Sequence, residues 1–326
     1  MTNKNPLFLL ILLLTGATAL AKDDTPTAQE LIDAAHGASD LSKLGPYTMT
    51  GLVMLDPDGK HKPQGYVTIY RDGDRTRVDL ELDGQKDSSL TLGDKRYSDP
   101  QRDLLAVVRV GHLDRSWDPG DASDVPVWIH PKSSFGAVKS SKSGAMPAWC
   151  VDKKTGTRKT RLCFDVLRGV LLSEETDAAN QKKFLEFTSL GAVMFPRKIK
   201  LAVPGILPIE ISQIQVTQQH FAADVFAIPK DTMEFETCDD MKPPERNPVD
   251  TQRLEEAWRL QTGAVGLDVI VTKEGKAGAV RVTNRAGREL DRIARDAVSA
   301  WTFKPASCAG HPVNFEMAVE VDFRTR

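Results

Sequence analysis

The chain has 326 residues, a length that suggests two domains of ordinary size. Its composition, 40% hydrophobic and 27% charged, is that of a folded globular protein and excludes disorder over the whole chain. Division after residue 248 gives 31 basic and 34 acidic residues before it, and 12 and 11 after it. Nucleic-acid binding needs a local surplus of Lys and Arg, so we expect no nucleic-acid partner.

An apolar run from Leu7 to Leu14 predicts a secretory signal peptide. It follows a short segment that contains Lys4 and leads to Ala19-Leu20-Ala21, whose small residues suit cleavage after Ala21. A membrane-spanning helix needs ~20 apolar residues, and Gly and Thr interrupt this run. We therefore expect residues 1–21 to be removed and the mature protein to be exported. A retained segment would instead anchor the protein in the inner membrane.

A helix is predicted to begin within residues 25–30. Its apolar stripe would consist of Leu31, Ile32, Ala34, Ala35 and Ala38. After it the apolar period falls from 3.6 to 2, which is typical of strands. Short strands are predicted over residues 47–55, 65–71, 76–82, 88–92, 95–98, 148–152, 162–165, 170–176, 184–190, 194–202 and 209–218. About ten strands at ~10-residue spacing predict one strongly curved antiparallel sheet or an incomplete barrel.

Three short sequence segments in this part of the chain resemble those of a known family. They are the passage over residues 164–172, Phe195-Pro196-Arg197-Lys198-Ile199, and the ending over residues 221–229. With the order of helix and hairpins, residues 25–235 resemble the bacterial lipoprotein-carrier-like (LolA/LolB-like) half-barrels. The resemblance implies a curved sheet around helices, with an apolar cavity that takes acyl chains, and hence a lipid or lipoprotein as a partner.

Four cysteines predict two disulfides, because an even number in an exported chain favours disulfides over metal ligation. Cys150 and Cys163 flank a segment that reads as a hairpin turn, with Gly156 at its tip, so they can face each other on neighbouring strands. Cys238 and Cys308 are then left to pair. That second bond would join the predicted short Pro-rich linker, residues 236–248, to the domain that follows.

The remaining residues, 249–326, predict a small β-β-α-β domain. A helical pattern over residues 254–261 precedes two alternating strands, 265–271 and 280–282. Residues 289–301 have an apolar stripe typical of a helix, and an unbroken alternation follows it. The fold class is therefore α+β, a curved antiparallel half-barrel sheet followed by this smaller domain.

The sequence motifs of this segment identify a family more specifically than its predicted secondary structure does. It contains Gly266-x-Asp268-Val269-Ile270-Val271, Gly275, Ala279-Val280-Arg281-Val282, Trp301-Thr302-Phe303-Lys304-Pro305-Ala306 and Gly310-His311-Pro312-Val313. In this order the motifs closely resemble the carboxy-terminal domain of the TonB energy-transducer family. The resemblance implies a Gram-negative periplasmic domain whose last strand accepts an extended peptide from an outer-membrane receptor. Transducers carry a long Pro-rich arm, and here only residues 236–248 stand in its place.

The last strand is the candidate partner site, because a terminal strand with a neighbour on one side leaves backbone N–H and C=O groups for a second strand. The candidate edge comprises Val313, Asn314, Phe315, Glu316, Met317, Ala318, Val319, Glu320, Val321, Asp322, Phe323 and Arg324. Its partner would be an envelope protein, with an outer-membrane receptor peptide as one form. A homodimer through the same strand is the alternative.

No motif for catalysis, cofactor binding or a metal centre stands out. The sequence has no Gly-x-Ser-x-Gly, no His-Glu-x-x-His and no Cys-x-x-Cys. The carboxylates of Asp114, Asp118, Asp121 and Asp124 lack the spacing of a calcium loop. We therefore expect a non-enzymatic protein with no cofactor. Its function is protein–protein interaction in the periplasm, related to outer-membrane transport, or alternatively lipid or lipoprotein carriage by the first domain.

Overall fold

The structure is a computed structural model that describes residues 25–60, 62–99, 116–118, 133–156, 158–177, 180–202, 208–248 and 262–323. The predicted signal peptide, residues 1–21, and the helix predicted over residues 254–261 lie outside the described residues.

The first element is helix α1 (Ala28–Ser39), which begins one turn after Thr25. Thr27 caps it: the Thr27 hydroxyl accepts the Glu30 N–H, and the Glu30 carboxylate accepts the Thr27 N–H at 2.7 Å. This reciprocal pair satisfies two N–H groups that a helix start leaves open. Of the predicted stripe, Leu31, Ile32 and Ala35 are buried, Ala38 is half-buried and Ala34 is exposed.

Fourteen strands of the described chain form one large antiparallel sheet. They are β1 (Tyr47–Leu55), β2 (Gln64–Asp72), β3 (Arg75–Leu82), β4 (Gln85–Leu92), β5 (Lys95–Ser98), β6 (Ser133–Phe135), β7 (Lys139–Ser143), β8 (Met146–Thr155), β9 (Arg158–Asp165), β10 (Leu171–Asp177), β11 (Asn180–Leu190), β12 (Val193–Ala202), β13 (Ile209–Gln218) and β14 (Met233–Glu236). The spatial order is β14-β5-β4-β3-β2-β1-β13-β12-β11-β10-β9-β8-β6, with β7 also paired to β8. The sheet does not close on itself, as an incomplete barrel requires.

The core of this part lies between one face of the sheet and α1. Residues that alternate along the strands, such as Met49 and Val53 of β1 and Val67 and Ile69 of β2, are almost fully buried. Helix α1 contributes its apolar stripe to the same cluster. The periodicity of two predicted from the sequence is therefore the side-chain alternation that fills this core.

The second part of the chain contains β15 (Glu245–Arg246), β16 (Gly263–Val271), β17 (Ala277–Asn284), helix α2 (Arg288–Ser299), β18 (Phe303–Lys304), β19 (Ala306–Cys308), β20 (His311–Val313) and β21 (Phe315–Phe323). Strands β17, β16 and β21 form a three-stranded sheet in that order. One face of this sheet and the apolar stripe of α2 enclose a separate core around Leu267, Leu290 and Phe323. Three short strands lie between α2 and β21, so the predicted β-β-α-β order is incomplete there.

The predicted linker is folded. The Lys242 N–H donates to Ser307 O at 2.9 Å, and the Ser307 N–H donates to Lys242 O at 3.0 Å. Strand β15 pairs with β18, and the Arg246 guanidinium lies 4.4 Å from the centre of the Trp301 ring. Pro243 and Pro244 have no N–H to donate, but their fixed φ is compatible with extended backbone. Pairing therefore resumes directly after them, at β15. Residues 242–247 of the predicted linker therefore lie along the second part of the chain and pair with it.

The boundary of the first part also differs by one residue. Strand β14 ends at Glu236, which pairs with Lys95 of β5, one position beyond the predicted end at residue 235. Strand β14 is an end of the large sheet and is followed within two residues by Cys238. The chain thus passes from the large sheet into the second part without an extended arm.

Both disulfides have the predicted partners. Cys150 and Cys163 stand opposite each other on β8 and β9, with 4.1 Å between their Cα atoms. Cys238 is bonded to Cys308 of β19, 70 positions later. Cys308 is fully buried in a small cluster with Met241, Ala306 and Val313, and Cys238 packs against that cluster.

Candidate functional site

The terminal strand β21 is an edge strand. It pairs antiparallel with β16 from Val271↔Phe315 to Gly263↔Phe323, and no other strand of the described chain pairs with it. Two residues of the predicted edge lie outside this strand: Val313 belongs to β20, where it pairs with Ala306, and Asn314 follows it. The last predicted residue, Arg324, lies outside the described residues.

The two faces of β21 differ in chemistry. Its odd-numbered residues face α2: Val321 and Phe323 are buried in the core of the second part, and Met317 and Val319 pack against that core. The even-numbered residues, on the other face, are Glu316, Ala318, Glu320 and Asp322. Three of these four carry a carboxylate, so the face of the sheet opposite the helix is acidic along its edge.

Asn314 connects the start of β21 to the large sheet. Its Oδ1 accepts the N–H of Lys273, in the turn between β16 and β17, at 2.9 Å. Its Nδ2 donates to the carbonyl oxygen of Glu234 in β14 at 2.7 Å. A short polar side chain therefore contacts the two sheets at once.

Glu316 makes the second connection. Its Oε2 accepts from Arg96 Nη2 of β5 at 3.3 Å, and its Oε1 accepts from Arg281 Nη2 of β17 at 2.7 Å. The Arg96 guanidinium also lies 4.5 Å from the centre of the Phe235 ring. Burial and the neighbouring Arg281 lower the pKa of Arg96 to about 10, so this guanidinium remains charged at pH 7. One carboxylate thus bridges cations from both parts of the chain.

The Arg281 side chain extends this cluster to β16. Its Nη2 lies 3.9 Å from Asp268 Oδ2, and Asp268 stands opposite Ala318 of β21. One guanidinium group therefore lies near carboxylates of both β16 and β21.

Two side chains of β21 beyond these contacts are exposed, whereas Val321 and Phe323 near its end are buried. Phe315, Glu316 and Met317 are half-buried, whereas Ala318 and Glu320 are exposed. We call Ala318–Phe323 the distal edge. It is the part of the predicted partner site that lies beyond the contacts of Asn314 and Glu316 with the large sheet.

The other candidate residues have ordinary partners or lie outside the described chain. Of the four aspartates considered for calcium, only Asp118 is described, and both its carboxylate oxygens lie 2.9 Å from His36 Nδ1 of α1. Asp240 lies close to the sulfurs of Cys238 and Cys308, but these two are bonded to each other. Asp240 Oδ1 accepts the N–H of Ala309.

The sequence did not indicate Arg96 or Glu234 as part of the site. Both lie in short strands of the large sheet, and 220 positions separate Arg96 from Glu316. An alternating strand pattern specifies which face a residue takes, but not which distant strand approaches it. No local signal in the sequence could have found them.

Comparison with known proteins supports the resemblance of the second part. Residues 255–325 match the family model of the Gram-negative bacterial TonB protein C-terminal, which confirms the resemblance seen in the motifs. The match runs through β16, β17, α2 and β21 and so contains the candidate edge. No curated protein matches the chain in sequence.

Several solved structures are similar to this chain at low sequence identity. A LolA-superfamily protein from Nitrosomonas europaea matches at 12% identity and a TM-score of 0.42, over 62% of this chain and 98% of its own. An outer-membrane lipoprotein-sorting protein domain from Vibrio parahaemolyticus matches at 12% identity and a TM-score of 0.35, over 60% and 93%. A DUF1329-family protein from Desulfovibrio piger matches at 8% identity and a TM-score of 0.36, over 61% and 96%.

Within the part of the chain that the structure describes, no helix has both the length and the apolar composition needed to cross a lipid bilayer.

Proposed function

We propose that this is a non-enzymatic periplasmic protein that binds an extended segment of an envelope protein by adding it to the edge of β21. The observation that carries the proposal is the sheet order β17-β16-β21, which leaves one side of β21 without a strand in the described chain. The match of residues 255–325 to a TonB carboxy-terminal family supports the envelope location. Main-chain hydrogen bonds would supply most of the affinity, since strand addition needs an edge more than particular side chains.

The position of the second part favours binding over force transmission. The disulfide Cys238–Cys308, the Lys242–Ser307 backbone pair and the Asn314 and Glu316 contacts hold it against the end of the large sheet. Transmission of force across the periplasm would need an extended arm at this point. We therefore propose that the large sheet holds the second part of the chain in place while the edge of β21 binds the partner segment.

Proline substitution tests strand addition directly. Consecutive backbone N–H groups of a strand point to opposite sides in the plane of the sheet. Of the two variants Ala318→Pro and Val319→Pro, one therefore removes an N–H on the unpaired side of β21, and the other removes an N–H that is bonded to β16. Hexapeptides selected from a random displayed library on the full mature chain provide the ligands. The variant that stays folded by thermal unfolding is the informative one. We expect it to lose at least tenfold in peptide affinity.

Unchanged affinity of the folded proline variant would refute β21 as the site. Loss of folding in both variants would show that the outward backbone groups of β21 are already used within the protein, and would equally refute it. Ala318→Val, which keeps the N–H, is the matched control and should bind as the parent does.

A second function, binding of an acyl ligand by the first part, is favoured by two buried polar atoms. Trp117 Nε1 and Ser39 Oγ are buried without a hydrogen-bond partner among the described residues, and Trp117 belongs to the core between α1 and the sheet. A buried donor without a partner costs about 1–3 kcal/mol, which an ester or carboxyl oxygen of a bound lipid would offset.

This second function has its own test. Native mass spectrometry of protein purified without detergent should reveal a bound acyl species, and Trp117→Phe should reduce its occupancy because the N–H is lost while the ring volume is largely kept. A ligand-free spectrum, or equal occupancy in the variant, would reject it.

A further inference from the structure

The edge of the large sheet that contains β6, β7, β8 and most of β9 is strongly basic. Residues 133–163, which we call the basic edge, contain seven Lys and Arg residues and one Asp. The chain as a whole has a net charge of −2, so this surplus is local. In the strand order this edge lies at the opposite end from β14, the strand that contacts the second part of the chain.

Two lysines of the basic edge stand directly opposite each other. Lys154 of β8 pairs with Lys159 of β9, so both side chains lie on the same face of the sheet. Like charges at directly opposed positions destabilise a sheet. The residue that faces Lys154 on its other side is Ser134 of β6, so no carboxylate stands opposite Lys154.

The carboxylates of this face are bound or placed beside other cations. Asp152 Oδ2 lies 3.0 Å from Lys159 Nζ, and Asp152 Oδ1 lies 3.2 Å from Arg161 Nε. Glu175 of β10 stands opposite Arg161, one strand further from the edge. Lys154 has no ion-pair partner in the part of the chain that the structure describes. Its charge is therefore left for a ligand outside the chain.

Three further lysines extend the charge along this edge. Lys139 and Lys142 of β7 are exposed, and Lys153 of β8 is half-buried. None of the three has an ion-pair partner among the described residues. Lysine on an edge strand such as β7 can serve only to prevent pairing with another chain. That reason does not cover the lysines of β8 and β9, because both strands have neighbours on either side.

An exposed aromatic ring accompanies these charges. Phe135 of β6 stands directly opposite Lys153, and 37% of its surface is accessible. Lysines around an exposed aromatic side chain suit an anionic membrane, where the ammonium groups meet lipid phosphates and the ring enters the boundary of headgroups and acyl chains. An acidic protein segment would use the charges but would not require the ring.

From this arrangement we propose that the basic edge docks the protein onto an anionic phospholipid surface. The inference goes beyond strand addition at β21, since it uses strands that pair with neither β14 nor β21. The paired strands hold the lysines together, so that their attractions to the surface act at once. Phe135 adds an apolar contact that salt does not screen.

Vesicle sedimentation with the full mature chain tests the docking. The probes are vesicles of phosphatidylglycerol and phosphatidylcholine in equal parts, and vesicles of phosphatidylcholine alone. We expect at least tenfold tighter binding to the anionic vesicles at about 0.05 M salt. Most of this preference should be lost at about 0.5 M salt, because salt screens exposed charges.

A charge removal locates the effect. The double variant Lys153→Gln with Lys154→Gln should bind the anionic vesicles about 25-fold more weakly, or about fivefold for each lysine. The matched control is Lys230→Gln with Lys242→Gln, which removes the same charge from two exposed lysines outside the basic edge. The control should bind within about twofold of the parent. Thermal unfolding should show both double variants to be as stable as the parent, because exposed lysines are replaced.

Replacement of the ring tests the apolar contact. Phe135→Ser should weaken binding to the anionic vesicles about fivefold, because the exposed part of the ring no longer leaves water on docking. Soluble poly-glutamate is the companion probe, since it presents carboxylates without a lipid interior. We expect it to bind more weakly than the anionic vesicles and to be insensitive to Phe135→Ser.

The outcomes are distinct. Equal binding to the two kinds of vesicle, or equal losses in the two double variants, would overturn the proposal. Poly-glutamate binding as tight as vesicle binding, with neither changed by Phe135→Ser, would show that the basic edge accepts an acidic protein segment and would overturn the lipid surface as its partner. None of these results depends on whether β21 accepts a strand.

Discussion

The guanidinium of Arg96 lies 3.3 Å from the carboxylate of Glu316, although the two residues belong to different sheets. Glu316 also accepts from Arg281 at 2.7 Å, so one carboxylate joins β5 of the large sheet to β17 and β21 of the small one. Together with the hydrogen bond from Asn314 to Glu234, this contact joins the start of β21 to the large sheet. The candidate partner edge therefore begins after Glu316.

Removal of the Arg96 charge should loosen the contact between the two sheets. Arg96→Met keeps much of the side-chain length but loses the bond to Glu316 and the contact with the Phe235 ring. We expect a loss of about 1–3 kcal/mol in unfolding free energy, as for hydrogen bonds to charged groups. Amide exchange in residues 313–317 and 233–236 should become faster, as measured by mass spectrometry.

The matched control is Lys86→Met, because the Lys86–Glu81 pair lies on an exposed part of the large sheet. Exposed pairs contribute little, so we expect a change below about 0.5 kcal/mol. Equal exchange of residues 313–317 in the parent and in Arg96→Met would contradict the assigned role.

The long-range disulfide should contribute more stability than the hairpin disulfide. In the chain-entropy model, the 70-residue separation of Cys238 and Cys308 corresponds to about 4 kcal/mol. The 13-residue separation of Cys150 and Cys163 corresponds to about 3 kcal/mol. Denaturant unfolding of the two paired Cys→Ser variants should show this order, and the reverse order would contradict it.

Protonation of Glu234 at low pH should weaken its contacts with Lys95 and Tyr97, which join β14 to β5. Hydrogen bonds from Lys95 and Tyr97 lower the pKa of Glu234 below its usual value of 4.5. A carboxyl with a lowered folded pKa contributes stability above its unfolded pKa, and that stability is lost as the pH falls through the folded pKa.

Glu234→Gln should therefore be less stable than the parent at pH 7, by less than about 1 kcal/mol because the pair is partly exposed. The difference should shrink as the pH falls below 4.5, the usual pKa of a Glu carboxyl, because the folded protein then begins to bind the proton as well. Thermal unfolding at a series of pH values measures it, and a difference that stays constant down to pH 3 would count against the cause given.

Gly275 should tolerate no side chain. Its φ is +76°, and a Cβ at this position would lie 2.1 Å from the carbonyl oxygen of Phe303, which follows α2. The Gly275 carbonyl also accepts the Phe303 N–H at 2.8 Å. The two segments therefore cannot separate to make room for a Cβ without loss of this hydrogen bond. We expect Gly275→Ala to cost about 3 kcal/mol or more.

Gly310 provides the comparison, since its φ is +83° but a Cβ there would meet nothing within 4 Å. Gly310→Ala should cost about 1–2 kcal/mol, the strain of the left-handed backbone alone. Equal losses in the two variants, measured by thermal unfolding, would show that the contact with Phe303 is not the cause.

Much of the local structure could be predicted because it depends on short-range periodicity. The strands predicted over residues 47–55 and 95–98 have the observed limits, and three of the five residues predicted for the apolar stripe of α1 are buried. Cys150 and Cys163 could be paired because a hairpin turn separates them by only 13 positions. The Val313–Arg324 strand was predicted too long at its start, since the alternation of apolar residues continues through Asn314 although the backbone leaves one strand pair for another there.

Side-chain alternation and local motifs were sufficient to predict most strands of the large sheet, their apolar faces, and the resemblance of residues 249–326 to a known family. They gave no indication of strands such as Ser133–Phe135 and Met233–Glu236, or that residues 242–247 pair with the second part of the chain. The tertiary structure alone placed Arg96 and Glu234 beside the last strand and separated the distal edge from the rest of the predicted site. The physical reason is that these contacts join residues 55 to 220 positions apart, and the approach of two sheets depends on the packing of the whole chain rather than on the pattern of either strand.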